Sequence, residues 1–259
     1  MEFQQELTAL LEGKTNCIGK KVLWLEETDS TNLVCRRMAA EGAQEGLVVL
    51  AREQTAGRGR RGRNFQSTKD LGMYLSVMLR PKQDMETLSN LTAWVAVAVC
   101  EGVERACGVR PEIKWINDII LKGKKLGGIL TEAVLLGSDT AVVLGIGINV
   151  HHRAADFEGE VRDMAASLET VTGRAVSREV LAAALVEELD ALRGAALDEP
   201  ALWLEEYRSR CITVGRRVSF TQNGQAQTGL AVSVDDAFAL TVETAHGQYT
   251  VNSGTVSLL

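Results

Sequence analysis

The sequence has no hydrophobic run long enough to cross a membrane and no secretory signal at its start. The most apolar helical stretch, Leu88 to Cys100, is interrupted by Ser89, Asn90 and Thr92 and is shorter than the ~20 residues that span a bilayer. The first residues carry acidic side chains rather than the basic start and apolar core of an export signal. We therefore expect a cytoplasmic protein with no membrane partner.

Paired cysteines and an excess of positive charge are also missing. Five cysteines are an odd number, and no two of them stand in a C-x-x-C pair, which is typical of reduced and buried thiols. The net charge of −6 disfavours general binding to nucleic acid, because neutralising phosphates requires a basic surface. We expect no nucleic-acid partner, so a basic cluster in this chain must serve a local site.

What the sequence does have is the periodicity of a mixed α and β domain. A hydrophobic content of 46% is enough for a sizeable core. Apolar residues at helical spacing predict helices over 3–12, Leu33–Ala40, Leu88–Cys100, Val180–Leu192 and Ala201–Arg208. Alternating or short apolar runs predict strands over Trp24–Glu27, Leu47–Ala51, Leu71–Leu79, Glu112–Ile120, Gly127–Leu136 and Thr140–Val150, with a tight turn at Gly137-Ser138-Asp139.

The pattern changes from about Ile212 onward. Short strands are predicted over Arg217–Phe220, Gln227–Val234, Ala239–Val242 and Gln248–Val251, joined by the turn pairs Asn223-Gly224, Asp235-Asp236 and His246-Gly247. About 45 residues without a helical period suggest a small barrel of the SH3-like kind. We therefore expect two domains, residues 1–211 and residues 212–259.

The strongest local signal is a loop between two predicted strands. In the run from Gly57 to Arg63, four arginines and three glycines fill seven consecutive positions. Glycines let the backbone wrap closely around a ligand, and guanidinium groups donate in a fork that matches phosphate or carboxylate. The alternatives are a solvated charged loop or an RNA-binding arginine tract. An RNA-binding module would leave Lys125 and the second domain unexplained.

Further polar groups follow later strands. Gly145-Ile146-Gly147-Ile148-Asn149 resembles a dinucleotide fingerprint only superficially, because no glycine-opened helix comes next. Its glycines indicate either close backbone packing or a ligand contact. The segments from Lys114 to Asp118 and from Lys124 to Leu130 add charged groups at strand ends. The adjacent His151 and His152 have no cysteine or carboxylate at ligand spacing, and we interpret them as loop residues rather than metal ligands.

Taken in this order, residues 24 to 150 resemble the biotin protein ligase family. The loop is nearly the family's full Gly-Arg-Gly-Arg-Arg-Gly-Arg signature, which is highly specific. Two positions depart from the pattern: Ile116 stands where the family usually has proline, and Phe65 where an aromatic residue, commonly tryptophan, follows the loop. The resemblance implies an α+β fold with a class II aminoacyl-tRNA synthetase-like mixed sheet, covering helices and a C-terminal SH3-like β-barrel.

The resemblance also implies the activity and its residues. The reaction would join biotin and ATP into biotinyl-5'-AMP and pass biotin to a lysine of a biotin carboxyl carrier protein domain, with Mg²⁺ bridging the phosphates through ligands that stay unknown. The residues placed at biotin are Ser30, Thr31, Asn32, Gln54, Gly57, Arg58, Gly59, Arg60 and Lys125. The residues placed at the nucleotide are Arg60, Arg63, Asn117, Asp118, Lys125 and Asn149. The catalytic set is Lys125, Arg58 and Arg60.

Three further expectations concern relatives and partners. A lipoate ligase runs the same adenylation on a dithiolane acid, but it lacks the arginine loop, and polar Ser30, Thr31, Asn32 and Gln54 suit a ureido ring better. Only about 20 residues precede the Trp24 strand, whereas a DNA-recognition unit needs at least two helices. We therefore expect a monofunctional ligase without the N-terminal DNA-binding domain. Exposed sheet edges are compatible with a homodimer.

Overall fold

Two β-sheets form the framework of the chain. A computed structural model describes residues 2–81, 90–137, 139–159, 161–195, 200–222 and 224–259. The first sheet has seven strands: β1 Lys21–Leu25, β2 Leu47–Ala51, β3 Gly72–Leu79, β4 Glu112–Lys114, β5 Asp118–Leu121, β6 Lys124–Leu136 and β7 Asp139–Asn149. The second has five: β8 Arg217–Gln222, β9 Gln225–Val234, β10 Leu240–Thr244, β11 Gly247–Val251 and β12 Val256–Leu258.

The strand order makes the first sheet mixed and the second antiparallel. The order in the first is β1-β2-β3-β7-β6-β5-β4, with β1 and β2 parallel and every other pair antiparallel. The order in the second is β11-β10-β9-β8-β12. The described helices are α1 Glu2–Leu11, α2 Thr31–Ala40, α3 Leu91–Cys107, α4 Val161–Met164, α5 Leu168–Thr172, α6 Arg178–Ala195 and α7 Pro200–Arg210. None of these helices is long and apolar enough to span a bilayer.

Most elements expected from periodicity are confirmed, with four differences. The helix expected to end at Cys100 continues to Cys107. The single strand expected over Glu112–Ile120 is wrong: β4 ends at Lys114 and β5 begins at Asp118, because the intervening Trp115 turns into the core. The first strand runs over Lys21–Leu25 rather than Trp24–Glu27. The short elements α4, α5 and β12 were not predicted. Leu88, Ser89, Ser138 and Asn223, on which parts of the expectations fall, lie outside the described residues.

The two faces of the first sheet are covered differently. Alternation along β7 sends Leu144, Ile146 and Ile148 into the main core, which they share with buried residues of α3 and α6. The opposite face meets α2 only at one end, through a small cluster that includes Val34, Cys35 and Val143. Within the described part of the chain, helices therefore bury one face of the sheet and leave much of the other face without a helix over it.

The uncovered part of that face has a floor of glycines. Gly145 pairs with Ser76 on β3, and Gly147 pairs with Tyr74 on β3 and with Gly128 on β6. Glycines at Gly128, Gly145 and Gly147 leave space that any larger side chain would fill. We call these three residues the glycine floor. It lies between α2 and the β5–β6 turn.

The second sheet shares the main core with the first. Phe238, in the turn before β10, is buried, and its ring packs edge-on against Tyr207 at 5.2 Å and Trp94 at 6.4 Å. The Trp115 indole Nε1 donates to the Phe238 carbonyl at 2.8 Å, and the Trp115 backbone N–H donates to Thr213 Oγ1 at 2.9 Å. The connection between β4 and β5 is thus held by the segment before β8 and by the turn before β10.

Candidate functional site

The start of α2 forms one end of the candidate site. Ser30, Thr31 and Asn32 are buried there. The Thr31 backbone N–H donates to Gln54 Oε1 at 2.8 Å, and Gln54 Nε2 donates to Ser67 Oγ at 2.7 Å. Two segments 23 residues apart in sequence are therefore tied together by the Gln54 amide. We call this group, with Ser76, the α2 end of the site.

Asn32 lies directly over the floor. Its amide Nδ2 donates to Glu132 Oε2 at 2.8 Å, and its Oδ1 is 2.7 Å from Ser76 Oγ. A Cβ built on Gly145 would lie 2.1 Å from Asn32 Oδ1. Glycine is therefore required at position 145 for Asn32 to occupy this position.

The arginine–glycine loop folds into a short hairpin over the same face. Gly59 N–H donates to the Arg63 carbonyl at 2.7 Å, and Phe65 N–H donates to the Gly57 carbonyl at 2.9 Å. The turn itself is a 3₁₀ segment, Arg60–Gly62. The Phe65 ring lies over Gly147, where a Cβ would approach it to 2.6 Å. The hairpin thus covers the middle of the glycine floor with an aromatic ring.

The loop arginines reach opposite ends of the floor. Arg58 NH2 is 3.1 Å from Glu132 Oε1, at the α2 end. Arg60 NH1 donates to Asn117 Oδ1 at 2.8 Å, on the connection before β5. Burial lowers the pKa of Arg60, which stays a cation because free arginine titrates far above neutral pH. Two positively charged groups two residues apart therefore serve different parts of the site.

A second cluster forms what we call the lysine end: Lys114, Asn117, Asp118 and Lys125. Lys125 Nζ is 2.5 Å from Asp118 Oδ1, and Lys114 Nζ is 4.0 Å from Asp118 Oδ2. Burial lowers the pKa of Lys114, and the positive charges of Lys125 and Arg63 act in the same direction. The lysine end thus has more positive than negative charge, and Lys125, 40% exposed in its side chain, is accessible to a ligand.

The chain after β7 packs against the lysine end. Ala166 N–H donates to the Lys125 carbonyl at 3.0 Å, and Asn149 Nδ2 donates to the Ala166 carbonyl at 3.3 Å. His152 is fully buried in this segment, with its ring stacked on Phe157 at 5.0 Å. His151 pairs with Glu169 instead, at 3.1 Å. The two histidines therefore lie in different surroundings, and the described residues include no group of three or more His, Cys, Asp or Glu side chains placed to hold a metal.

The structure brings nearly all the predicted site residues to one face. The α2 end holds Ser30, Thr31, Asn32, Gln54, Gly57 and Arg58, and the lysine end holds Arg60, Asn117, Asp118, Lys125 and, through Ala166, Asn149. Arg63 is exposed and acts on the lysine end only through its charge. Sequence reasoning missed Glu132, Ser76 and Ser67, and it gave Lys114 no role. Alternation along β6 places Gly128 and Glu132 on the same face of the sheet, and this pattern could have identified Glu132 from the sequence.

Comparisons with known proteins show the family to which the chain belongs. Residues 24–149 match the model of the Biotin/lipoate A/B protein ligase family. The chain is 33% identical over 247 residues to the biotin--[acetyl-CoA-carboxylase] ligase of Paracoccus denitrificans, covering 90% of this chain and 98% of that protein. The chain belongs to the biotin protein ligase family. It is also 33% identical over 252 residues to the bifunctional ligase/repressor BirA of Bacillus spizizenii, covering 95% of this chain and 76% of that one.

The fold of this biotin protein ligase family member matches a solved structure of a relative. The biotin protein ligase from Aquifex aeolicus in complex with biotin and ATP superposes with a TM-score of 0.78 at 28% identity, covering 93% of this chain and 99% of that one. The mixed α and β architecture expected from the sequence is therefore confirmed. The structure of that relative contains both biotin and ATP.

Proposed function

We propose that the protein activates biotin with ATP to form biotinyl-5'-AMP and then transfers biotin to a lysine of a biotin carboxyl carrier protein domain. The observation that carries this proposal is the arrangement of the glycine floor, with a hydrogen-bonding pocket at the α2 end and a cluster of cations at the lysine end. The Lys125 side chain lies 3.8 Å from a Cβ built on Gly128, which pairs with Gly147, two residues from Gly145, so the two ends are roughly 10 Å apart along this face. An extended acid with a polar ring at one end fits that distance.

The α2 end suits the ureido ring of biotin. A ureido group offers two N–H donors and one carbonyl acceptor, and Ser30, Thr31, Asn32 and Gln54 present hydroxyl and amide groups that can match both kinds. Ser30, Thr31 and Asn32 are buried and Gln54 is half-buried, which strengthens their hydrogen bonds and makes an unmatched ligand costly. Gly57, Arg58, Gly59 and Arg60 would cover the bound ring and its adenylate, since the hairpin already lies over the floor.

The lysine end suits the reaction itself. A biotin carboxylate oxygen attacks the α-phosphorus of ATP, the bond to pyrophosphate breaks, and negative charge builds on the α-phosphate oxygens. Lys125 is assigned to those oxygens and to the carboxylate, exchanging its ion pair with Asp118 for the ligand. Arg60, Arg63, Asn117, Asp118 and Asn149 are assigned to the nucleotide.

Arg58 has a different role from Arg60 in this proposal. The sequence grouped both with the catalytic residues, but Arg58 is paired with Glu132 at the α2 end. A cation already balanced by a buried carboxylate contributes less to phosphate binding than an unpaired one. We therefore assign Arg58 to the biotin side and Arg60 to the phosphate side of the closed loop.

Magnesium would enter with the nucleotide rather than bind to a preformed protein site. Mg²⁺ prefers oxygen ligands and is often held by substrate phosphates with one or two carboxylates. Asp118 is the carboxylate of the lysine end, but it already accepts a hydrogen bond from Lys125. The chemistry that Mg²⁺ supplies when bound is partial neutralisation of the phosphate charges, and this chain's own contribution there is Lys125 and Arg60.

We also propose the finer architecture that family membership suggests. The seven-stranded sheet would be the class II aminoacyl-tRNA synthetase-like core of a catalytic domain, residues 1–211, and the five-stranded antiparallel sheet an SH3-like barrel, residues 212–259. The change from helices to short strands after α7 supports that division. The five cysteines are free, which suits the reducing cytoplasm as the place of reaction.

The proposed function is tested by incubating the purified protein with ATP, Mg²⁺, labelled biotin and a carrier domain. We expect label to become covalently attached to the carrier, and to be absent when the acceptor lysine of the carrier is replaced by arginine or when ATP is omitted. Equally strong labelling of the carrier in which arginine replaces the acceptor lysine would contradict transfer to that specific lysine. No labelling of any protein would contradict the whole proposal.

A further inference from the structure

A carboxylate that no sequence motif singles out lies at the α2 end of the site. Glu132, on β6, is 15% exposed in its side chain. It accepts a hydrogen bond from Asn32 Nδ2 at 2.8 Å and pairs with Arg58 at 3.1 Å and with Arg36 at 3.6 Å. Burying a carboxylate is costly unless it is paired and hydrogen-bonded. Glu132 meets that condition through three residues from α2 and the arginine loop.

The contact with Asn32 fixes the orientation of that amide. Because Nδ2 donates to Glu132, Oδ1 faces Ser76 Oγ at 2.7 Å and lies over Gly145. A reversed amide would place its oxygen against the Glu132 carboxylate, and two acceptors at hydrogen-bond distance repel. Glu132 therefore determines which face of the Asn32 amide a ligand at the α2 end would meet.

The contacts with the arginines determine where Arg58 lies. Arg36 projects from α2 and Arg58 from the loop hairpin, so one carboxylate draws both guanidinium groups toward the same end of the floor. Arg60, two residues later, bonds to Asn117 at the opposite end. Without the negative charge of Glu132, Arg36 and Arg58 would repel each other, and Arg58 would no longer be held at the α2 end.

We propose that Glu132 is a positioning residue that sets the affinity for the ring of the acid, by orienting the Asn32 amide and by holding Arg58 at the α2 end. This inference rests on the proposed function, because it takes the α2 end to be the ring site. Glu132 acts through Asn32 and Arg58 and need not touch the substrate. Its influence should therefore fall on biotin binding and spare ATP binding.

The test uses Glu132→Ala and Glu132→Gln in the full chain, with Asp139→Asn as the matched control. Asp139 is an exposed carboxylate at the start of the adjoining strand β7. We expect Glu132→Ala to raise the KM for biotin about tenfold or more, the scale of losing a hydrogen bond to a charged group, while the KM for ATP changes less than about twofold. Glu132→Gln keeps an acceptor for Asn32 but loses the charge, so its effect should be smaller.

A binding measurement without ATP separates positioning from a general loss of structure. We would titrate each folded protein with biotin alone and follow binding by calorimetry. Wild type and Asp139→Asn should bind biotin with equal affinity, Glu132→Gln more weakly, and Glu132→Ala most weakly. A double variant with Arg58→Gln should lose less affinity than the sum of the two single losses, because Glu132 acts partly through Arg58 and partly through Asn32. Thermal unfolding of each variant shows whether it is folded under the assay conditions.

The outcomes distinguish this inference from the proposed function. If the wild type binds biotin and Glu132→Ala binds it equally well, the inference is overturned and the proposed function stands. If Glu132→Ala weakens biotin and ATP binding by the same factor, Glu132 has a merely structural role and the inference is also overturned. If the wild type binds no biotin, the proposed function fails and the inference fails with it.

Discussion

At the scale of single residues, the site depends on glycines that leave space for neighbouring groups as much as on the side chains that would bind a ligand. Gly145, Gly147 and Gly128 each lie under or beside a different group: Asn32, the Phe65 ring, and the Asp118–Lys125 pair. Any Cβ at the first two positions would overlap those groups. The glycine floor thus divides the face into a hydrogen-bonding end, an aromatic middle and a charged end.

Replacing Lys125 should remove the main charge available for the reaction. Lys125→Ala is expected to lower adenylate formation by on the order of 100-fold or more, the scale seen when one charge-stabilising group is lost. The fold should remain, because Lys125 is partly exposed and Asp118 keeps Lys114 nearby. Pyrophosphate release from biotin and ATP measures the effect, with exposed Lys69→Ala as the control. A rate for Lys125→Ala close to that of Lys69→Ala would refute the assignment.

Filling the floor under Asn32 should weaken ring binding selectively. In Gly145→Ala the new methyl would lie 2.1 Å from Asn32 Oδ1, so Asn32 must move and give up its bond to Ser76 or Glu132. We expect the affinity for biotin, measured by calorimetry, to fall about tenfold or more, as expected for at least one lost buried hydrogen bond. Gly194→Ala, on exposed α6 surface with nothing within 4 Å of the new Cβ, is the control and should bind normally. Unchanged biotin affinity in Gly145→Ala would show that Asn32 is not part of the ring site.

At the scale of elements, the connection between β4 and β5 is the part of the fold that the local sequence pattern predicts least well. The apolar run Trp115-Ile116 continues the strand pattern, so the sequence predicts one strand from Glu112 to Ile120. The break depends on Trp115 bonding to Phe238 and Thr213, which are more than 90 residues away in sequence. Long-range contacts of this kind have no local signal. They place Asn117 and Asp118 at the lysine end.

The absence of a local signal for long-range contacts also explains which site residues could be predicted from the sequence. Gly57 to Arg63, Asn117-Asp118 and Lys125 stand in compact motifs with unusual composition, and the structure places them on one face. Glu132 and Ser76 stand in ordinary strands, where an isolated polar residue has no distinctive neighbours. Only the register of β3, β7 and β6 shows that Ser76 lies beside Gly145, and that Gly145 lies beside Leu130, two residues before Glu132.

The Phe238 turn should be essential for docking the C-terminal sheet. Phe238→Ala removes a buried ring that contacts Trp94 and Tyr207, and loss of a buried phenylalanine typically costs about 3–5 kcal/mol. We expect the free energy of unfolding, measured by denaturant titration, to fall by that amount. Exposed Leu135→Ala on β6 should change it by less than about 0.5 kcal/mol. Equal effects of the two variants would show that the ring does not hold the second sheet.

At the scale of the whole molecule, one sheet face supplies stability and the other supplies the site. The helix-covered face buries the apolar residues of β3, β6 and β7 against α3 and α6. Outside the small apolar cluster under α2, the opposite face carries polar and glycine residues that contribute little apolar burial. The large core behind the sheet therefore supplies most of the apolar burial, and the open, charged face supplies the site.

Stability should decrease in mild acid because of His152. Burial lowers the pKa of this histidine below its ordinary 6.5. The unfolded chain therefore binds a proton more readily, and the stability that neutral His152 allows is full above about pH 6.5 and is lost as the pH falls below it. Each pH unit in that window should cost up to about 1.4 kcal/mol.

Denaturant titrations at several pH values between 5 and 7.5 measure this loss. The variant His152→Phe keeps a flat ring against Phe157 but cannot titrate, so its free energy of unfolding should vary less over this range than that of the wild type. Carboxylates whose pKa is lowered, such as Asp70 and Glu206, act mainly below pH 5 and are common to both proteins. Parallel pH profiles for the two proteins would show that His152 is not the titrating group.

Biotin-dependent exchange of labelled pyrophosphate into ATP tests the adenylation of biotin most directly, because it needs no carrier and reports formation of the mixed anhydride alone. We predict rapid exchange with biotin, at least about 100-fold slower exchange in Lys125→Ala, and no exchange when lipoate replaces biotin. Absence of exchange with biotin would contradict the proposed reaction. Equal exchange with lipoate would contradict the assignment of the α2 end to a ureido ring.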